Sequence, residues 1–562
     1  MTNVHKTVYT SVMAADIRTL CLIDGQLELE KAFIRAGLDV FAIHTPQNPF
    51  FDLPTALERA GKSPDLILQV ERMASRTILT GLDQVDAPVM FWCIDPHLNA
   101  HWHSVYARLF DVVCSTQKAW IDKLSQCGAP DVRWLPWYGH QEPFVDWKER
   151  EHSLTFVGRV TDQRPTRKWM VEFLRDKTAG SPLTLREGLA FSEMMALYRA
   201  SRIIPNESIF GEVNFRLFEG ASCGCLVLGQ DIGEQVELFE PGREIDTYSH
   251  VIELGEKLSK YQANPRLAGA MGRAAHARIK AEHLPDHRAV RILEFAADAG
   301  RNRVTGREAD KWTALAACAL AEAGLVDIAH ADLLSRLASV SQDADVVSMA
   351  LRVQAMAGVD SVLEQNVMAL LTSPVPGDAS KLNQTASMVA LRLKNFDAAK
   401  AFWYRHLEAK GIELAPPESP KELLTLWAKD LARRGCVARQ GFSFDMARHL
   451  PGSAAECLLT ILEDEPNDLP TLRLLDSMLR PLPGLEQSRV GFLSILTLFK
   501  RDDWRLALEI GLANLASYRL DSGLEELRLG LSLATQQGQE AAFMRVLKNR
   551  DSSGLIIPLL NH

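Results

Sequence analysis

Hydrophobic positions along this chain keep two different rhythms, one before and one after about residue 300. From residue 19 to 140, short apolar runs alternate with stretches whose apolar positions recur every three or four residues. Residues 19–23 read as a buried strand, followed by a helix over 28–36 and a stop at Gly37. Segments 40–43, 66–68, 89–94 and 112–114 read as further strands, 120–127 as a helix, and 132–135 as a strand ahead of Pro136. After a polar linker near 145–152 the pattern restarts, with strands at 154–157, 183–185, 202–204 and 226–228. A helical stretch over 251–295 closes it. Strands that are apolar throughout and separated by helices predict parallel sheets covered on both faces. Two such sheets in succession predict two Rossmann-like domains with a ligand cleft at their C-terminal strand edges.

Beyond about residue 305 the strand rhythm ends and Ala, Leu and Glu dominate at helical spacing. A weak register of about 34 residues runs through Ile328/Ala331, Val362, Phe396/Ala399/Trp403, Ala454/Leu458 with Pro466, and Trp504/Ala507. It predicts a tetratricopeptide-like solenoid, with an irregular helical domain as the alternative. The fold class is therefore α/β followed by all-α, in three segments: 1–148, 149–300 and 305–562.

Composition narrows the class of partner. At 562 residues the chain is too long for one core. A net charge of −9 leaves no basic surplus for a general nucleic-acid binder, though not excluding a small basic pocket. Nine cysteines are scattered, most of them in apolar runs, and read as reduced core residues of a cytoplasmic protein. Cys223-x-Cys225 has the wrong spacing for a zinc knuckle. No signal-type apolar core opens the chain and no apolar run reaches membrane-spanning length.

The most informative stretch is Val213-Asn-Phe-Arg-Leu-Phe-Glu-Gly-Ala-Ser-Cys-Gly-Cys-Leu-Val-Leu-Gly229: a turn, a short amphipathic helix, a glycine turn and a buried strand. Asn214 is placed to cap the helix, whose N-terminus attracts anions. Arg216 adds a cation in the first turn, and Glu219 shares its face one turn deeper. A diphosphate at the cap with a ribose hydroxyl at the carboxylate would use all three groups. An i,i+3 ion pair on a packed helix accounts for the same spacing.

Several motifs recur in a fixed order around this stretch. They are Phe156-Val-Gly-Arg159, a basic loop at Arg164, Arg167 and Lys168, Asn206-Glu207-Ser208, and Asn214-Phe-Arg-Leu-Phe-Glu219. Cys223-Gly-Cys-Leu-Val-Leu228, Glu240-Pro-Gly-Arg-Glu-Ile245, Glu282-His283 and His287-Arg288 follow. In this order the block 151–295 resembles the C-terminal half of spore maturation protein CgeB-type glycosyltransferases, and through them the GT-B nucleotide-sugar transferases. The resemblance is looser over the first 150 residues or so and absent beyond the block. It implies a GT-B fold and a nucleoside-diphosphate sugar, such as a UDP-sugar, as donor substrate, with no further cofactor. On the donor side it implies Gly158, Arg159, Arg164 and Arg216 at the diphosphate, Glu219 at the ribose, and Asn206 and Asn214 orienting sugar or phosphates.

Charge on a departing diphosphate is stabilised either by a metal or by fixed cations and a helix N-terminus. The Asp-x-Asp pattern of metal-dependent transferases occurs only as Asp343-Ala-Asp345, in the helical region, where a solvated helix face explains it. The metal-free route is therefore expected. His97, His101 and His103 have metal-like spacing but no acidic companions, and no metal site is expected there. Candidates for a general base are Asp95, after the strand at 89–94, Asp24, after the first strand, and Glu71, after 66–70. Each is equally a cap or structural group, and a retaining enzyme needs no such base.

A solenoid fused to such an enzyme suggests a protein acceptor, bacterial flagellin for example, gripped by the helices and separable from donor chemistry. A cell-surface polysaccharide or glycolipid acceptor is the alternative. A non-catalytic scaffold of GT-B shape is another, although it has no need of Arg216, Glu219 and Asn206 together.

Overall fold

The structure, a computed structural model, describes residues 17–73, 75–177, 182–373, 379–413 and 415–560. The segment read above for a signal-type core lies outside them. Strands β1 (Thr19–Ile23), β2 (Asp39–Ile43), β4 (Leu66–Val70), β6 (Val89–Cys93), β7 (Val112–Ser115) and β8 (Val132–Trp134) form one sheet in the order β2-β1-β4-β6-β7-β8. Every pairing in it is parallel. Each residue of β4 and β6 is buried, as central strands covered on both faces require. A separate parallel pair joins β3 (Phe50–Asp52) to β5 (Ile78–Thr80). The second sheet contains β9 (His152–Val157), β10 (Leu183–Arg186), β11 (Ser201–Asn206), β12 (Leu226–Gln230) and β13 (Asp246–Tyr248), in the order β10-β9-β11-β12-β13. It too is parallel throughout.

Ten of these strands and the helices Leu27–Arg35 and Ile121–Gln126 coincide with the elements read from hydrophobic patterning. β3, β5 and β13, of three residues each, were not anticipated, whereas β8, equally short, was readable from the run that ends at Pro136. The stretch 251–295 divides into Val251–Ala263, Pro265–Glu282 and Pro285–Ala297, each break marked by a proline that starts the next helix.

From Arg307 onward every described element is helical. Helix Phe396–Ala409 is capped by Asn395 through the Ala398 amide at 3.0 Å, and buries Ala399 and Trp403. Asp343 caps helix Ala344–Ala357 and binds Lys311 at 2.8 Å, so Asp343-Ala-Asp345 is a helix start.

Packing divides the chain into two compact units, Met1–Pro136 with Arg288–Pro466 and Trp137–His287 with Asn467–His562. In the first, helix Arg307–Glu322 sends Trp312, Leu315 and Leu320 into the cluster that holds Phe91, Tyr106 and Phe110. Arg303 fastens the approach to that helix: its guanidinium meets Asp111 at 2.6 Å and the Ala87 carbonyl at 2.9 Å. In the second unit Trp504, Leu508, Leu527 and Phe543 share one core with Phe156, Leu226 and Leu254. The C-terminal helices therefore contribute to the core of each unit.

Ending the chain at residue 466 should strip the second core of Trp504, Leu508, Leu527 and Phe543. Burial on this scale is worth about 1.5–3 kcal/mol per side chain, so this unit should lose cooperative unfolding. Thermal denaturation followed by near-UV circular dichroism checks this; a sharp transition retained by the truncated protein would contradict it.

Candidate functional site

Parallel strands collect their loops along one C-terminal edge. β9 and β11 are neighbours, so Gly158 and Arg159 come beside Asn206 and Glu207. Gly158 donates to the Arg186 carbonyl at 3.0 Å. A Cβ at this glycine would lie 3.3 Å from Arg216 Nη2 and 3.4 Å from Arg167 Nη1, so two guanidiniums converge on the turn.

Arg216, in the first turn of helix Phe215–Ser222, donates to Asn206 Oδ1 at 3.1 Å and to the Val157 carbonyl at 3.2 Å. Its guanidinium carbon sits 4.5 Å from the centre of the Phe156 ring. Arg167 lies at the start of helix Pro165–Lys177, buried, with Nε on Glu207 Oε1 and Nη1 3.2 Å from the Arg159 carbonyl. Glu207 Oε2, Asn214 Oδ1 and Arg216 Nε are buried without a hydrogen-bond partner. Native interiors leave few such atoms, so three in one cluster mark a place built for a polar partner.

Asn214 holds the N-cap position, yet its side chain makes no cap bond. Nδ2 donates instead to the Glu207 carbonyl at 2.8 Å, tying the helix start to the end of β11. The side-chain cap expected from the sequence is thus replaced, and the first-turn amides keep their anion-attracting character. Glu219 is held up at about 7 by burial, against the pull of Arg216. No ion pair within 4.0 Å joins these two among the described residues, so the spacing is not used as a salt bridge. Arg159 and Arg164 are exposed, and Lys168 pairs at 3.0 Å with Asp162. Sequence reading gave Arg167 no more weight than its exposed neighbours and assigned Glu207 no role; their pairing is visible only in three dimensions.

The other motifs serve packing. Glu244 binds Arg278 at 3.1 Å, His283 Nε2 lies 2.9 Å from the Leu238 carbonyl, and Cys225 Sγ lies 3.1 Å from the Tyr198 carbonyl.

In the first unit β1, β4 and β6 are adjacent, which brings Asp24, Glu71 and Asp95 to one sheet edge. Asp24 (φ +56°) accepts from the Thr45 amide at 2.9 Å and its hydroxyl at 2.6 Å, with Arg72 3.6 Å away. Glu71 accepts from the Ile94 amide at 2.8 Å and faces His103 at 3.1 Å and Arg76 at 3.2 Å. Although burial opposes ionisation, His103 and Arg76 hold this carboxyl down at about 2. Asp95 starts helix Pro96–Tyr106 without a side-chain cap bond. His101 turns edge-on to Phe442, ring centres 5.5 Å apart, and burial lowers it to about 3. His103 faces Glu71 instead, and no group of three or more His, Cys, Asp or Glu side chains able to hold a metal ion occurs among the described residues.

Residues 149–294 match a family described as Glycosyl transferase-like. The chain as a whole carries two parallel α/β sheets followed by helices. No curated protein matches the chain. Among solved structures it is similar to HepE from Anabaena, in complex with UDP and glucose, at 12% identity and TM-score 0.37, covering 50% of this chain and 100% of that one. A sucrose-phosphate synthase from Thermosynechococcus elongatus is 12% identical at TM-score 0.38, covering 50% and 98%. A glycosyltransferase from Rickettsia africae is 11% identical at TM-score 0.37, with the same coverage. At these TM-scores the likenesses carry no weight for activity.

The raised carboxyl of Glu219 has a consequence for stability. Its folded value lies above the unfolded one, so the native state keeps a proton that the unfolded chain loses between about pH 4.5 and 7, and stability falls across that window as pH rises. Glu219→Gln should match the wild type in melting temperature at about pH 5 and exceed it at about pH 8. A difference that stays constant across the series would show that the carboxyl titrates normally.

Proposed function

We propose that this chain is a metal-independent GT-B glycosyltransferase that moves a sugar from a nucleoside-diphosphate sugar, UDP-sugars included, to a hydroxyl acceptor. The observation that carries the reading is the cluster of three partnerless buried polar atoms beside two guanidiniums and an uncapped helix N-terminus. As the glycosidic bond breaks, negative charge grows on the diphosphate oxygen. Arg216 and Arg167, with the amides of helix Phe215–Ser222, meet that charge without reorganising. Arg216 is fixed in advance by Asn206, the Val157 carbonyl and the Phe156 ring. Glu219, raised to about 7 by burial and so about half ionised at neutral pH, accepts ribose hydroxyls from one turn deeper. Gly158 lets the backbone approach the phosphates, Asn206 and Asn214 orient the donor, and the exposed Arg159 and Arg164 supply attraction on entry.

On the acceptor side Asp95, Asp24 and Glu71, at the ends of three adjacent strands, are the candidates for the base, and of these Glu71, a carboxyl held at about 2, is a poor proton acceptor at neutral pH. We further propose a CgeB-type enzyme of the cytoplasm with tetratricopeptide-like hairpins and a protein acceptor such as flagellin. An apolar groove on the helices, of about 420 Å³ and lined by Met388, Phe396, Leu424, Phe444 and Met446, suits an extended peptide. No described helix is long and apolar enough to cross a membrane.

Calorimetric titration with UDP, GDP and dTDP sugars tests the donor site. Glu219→Ala should weaken the preferred nucleotide by about 1–3 kcal/mol, the loss of a charged hydrogen bond. Absence of binding by the wild type to all of them would remove the enzymatic reading. Mass spectrometry of co-expressed flagellin against extracted glycolipid identifies the acceptor: a sugar found only on lipid would exclude a protein client.

A further inference from the structure

One strongly bent position lies far along the chain from the donor cluster but touches it. Tyr518, in the turn between helices Trp504–Ala516 and Leu520–Gln536, has φ +66°, a conformation that a bulky residue keeps only where its surroundings hold it. It is 3% exposed. Its hydroxyl lies 2.7 Å from that of Tyr248, at the end of β13, and Tyr248 donates to the Asn206 carbonyl at 3.3 Å. That leaves Tyr518 to donate to Tyr248. Asn206 in turn holds Arg216, so a chain of three hydrogen bonds runs from a C-terminal turn to the guanidinium.

Neighbouring contacts converge on the same edge. Arg519 lies 4.9 Å from the centre of the Trp169 ring, on the helix that carries Arg167. A second C-terminal loop closes on the segment leading to Asn214. A Cβ at Gly211 would lie 2.6 Å from the Pro483 ring, and one at Gly484 would lie 1.9 Å from the Ile209 carbonyl oxygen. Gly484 is needed twice over, for that approach and for its φ of +80°. Loops 482–485 and 517–519 thus touch the segments that bear Arg167 and Asn214, and reach Asn206 through Tyr248.

We infer that Tyr518 is a positioning residue of the donor site and that loops 482–485 and 517–519 are its frame, so that the C-terminal helices set the geometry in which Arg216 meets a nucleoside diphosphate. The inference rests on the donor-site reading above. Burial pushes both phenols up, with the charge of Glu207 adding to it, so each acts as a neutral hydrogen-bonding group.

The test uses the full-length protein, with UDP as probe in calorimetry and melting temperature measured alongside. Tyr518→Phe keeps the ring and removes one hydroxyl; it should weaken UDP binding by about 3- to 10-fold while the melting temperature moves by no more than about 3 °C. In an Asn206→Ala background the same substitution should cost nothing more, because the effect travels through Asn206. Gly484→Ala, from the other loop, should weaken UDP as well. Unchanged affinity in Tyr518→Phe, or losses that simply add with Asn206→Ala, would overturn the inference while leaving the donor site standing. A wild type that does not bind UDP would overturn the donor reading for this nucleotide and the inference with it.

Discussion

Each parallel sheet of this protein has two faces to keep from water, and the cover is drawn from hundreds of residues away. Helix Arg307–Glu322 completes the core of the first unit, and the helices after Asn467 complete that of the second. Apolar burial is non-directional and proportional to area, so any amphipathic helix of the right length would close a face. What fixes these particular helices is polar: Arg303 on Asp111 in one unit, and Tyr518 on Tyr248 with His250 3.0 Å from Ser553 in the other. The apolar term supplies the stability and the buried polar pairs supply the register.

The same division organises the site. Arg216 reaches its place because helix Phe215–Ser222 packs Leu217 and Phe218 inward, leaving its first turn at the end of β9 and β11. Its orientation is then set by two acceptors and an aromatic face, not by a carboxylate partner. That distinction matters chemically. A guanidinium neutralised by Glu219 at close range would have little field left for a phosphate, whereas one held by neutral oxygens keeps its full charge. Glu207 does carry such a partner in Arg167, but spends only one oxygen on it.

Much of this was legible in the chain. Continuous apolar runs predicted ten of the strands, because a parallel strand buried on both faces leaves a dense signature, and ordered motifs singled out Gly158, Asn206, Arg216 and Glu219, of which the fold brings Gly158, Asn206 and Arg216 together. The Arg167–Glu207 pair was not legible: its members are 40 residues apart, and both resemble ordinary solvated charges until β9 and β11 align. Asn214 was readable as a cap by position, but not in side-chain direction, since an amide donates as readily as it accepts. The surroundings of Glu71 were hidden differently. A carboxylate at a strand end fits catalysis, and only the fold reveals that Ile94, Asn99, His103 and Arg76 have taken it. The helices after 305 were readable as helices, while their allegiance to two sheets was not, because amphipathic periodicity states that a face is buried and never against what.

That allegiance changes how a strained tyrosine is to be understood. Holding an aromatic residue at positive φ costs about 1–3 kcal/mol, and a turn between two helices is an easy place for glycine instead. Neighbouring turns take that option: Gly484 and Gly538 both sit at positive φ. If the turn at 518 served packing alone, glycine would serve there too, since burial of a ring could be supplied from either flanking helix. A hydroxyl 2.7 Å from Tyr248 cannot be supplied by glycine, nor from a helical position without moving the hairpin. The strain is thus placed at a residue that links the late helices, through Tyr248, to Asn206.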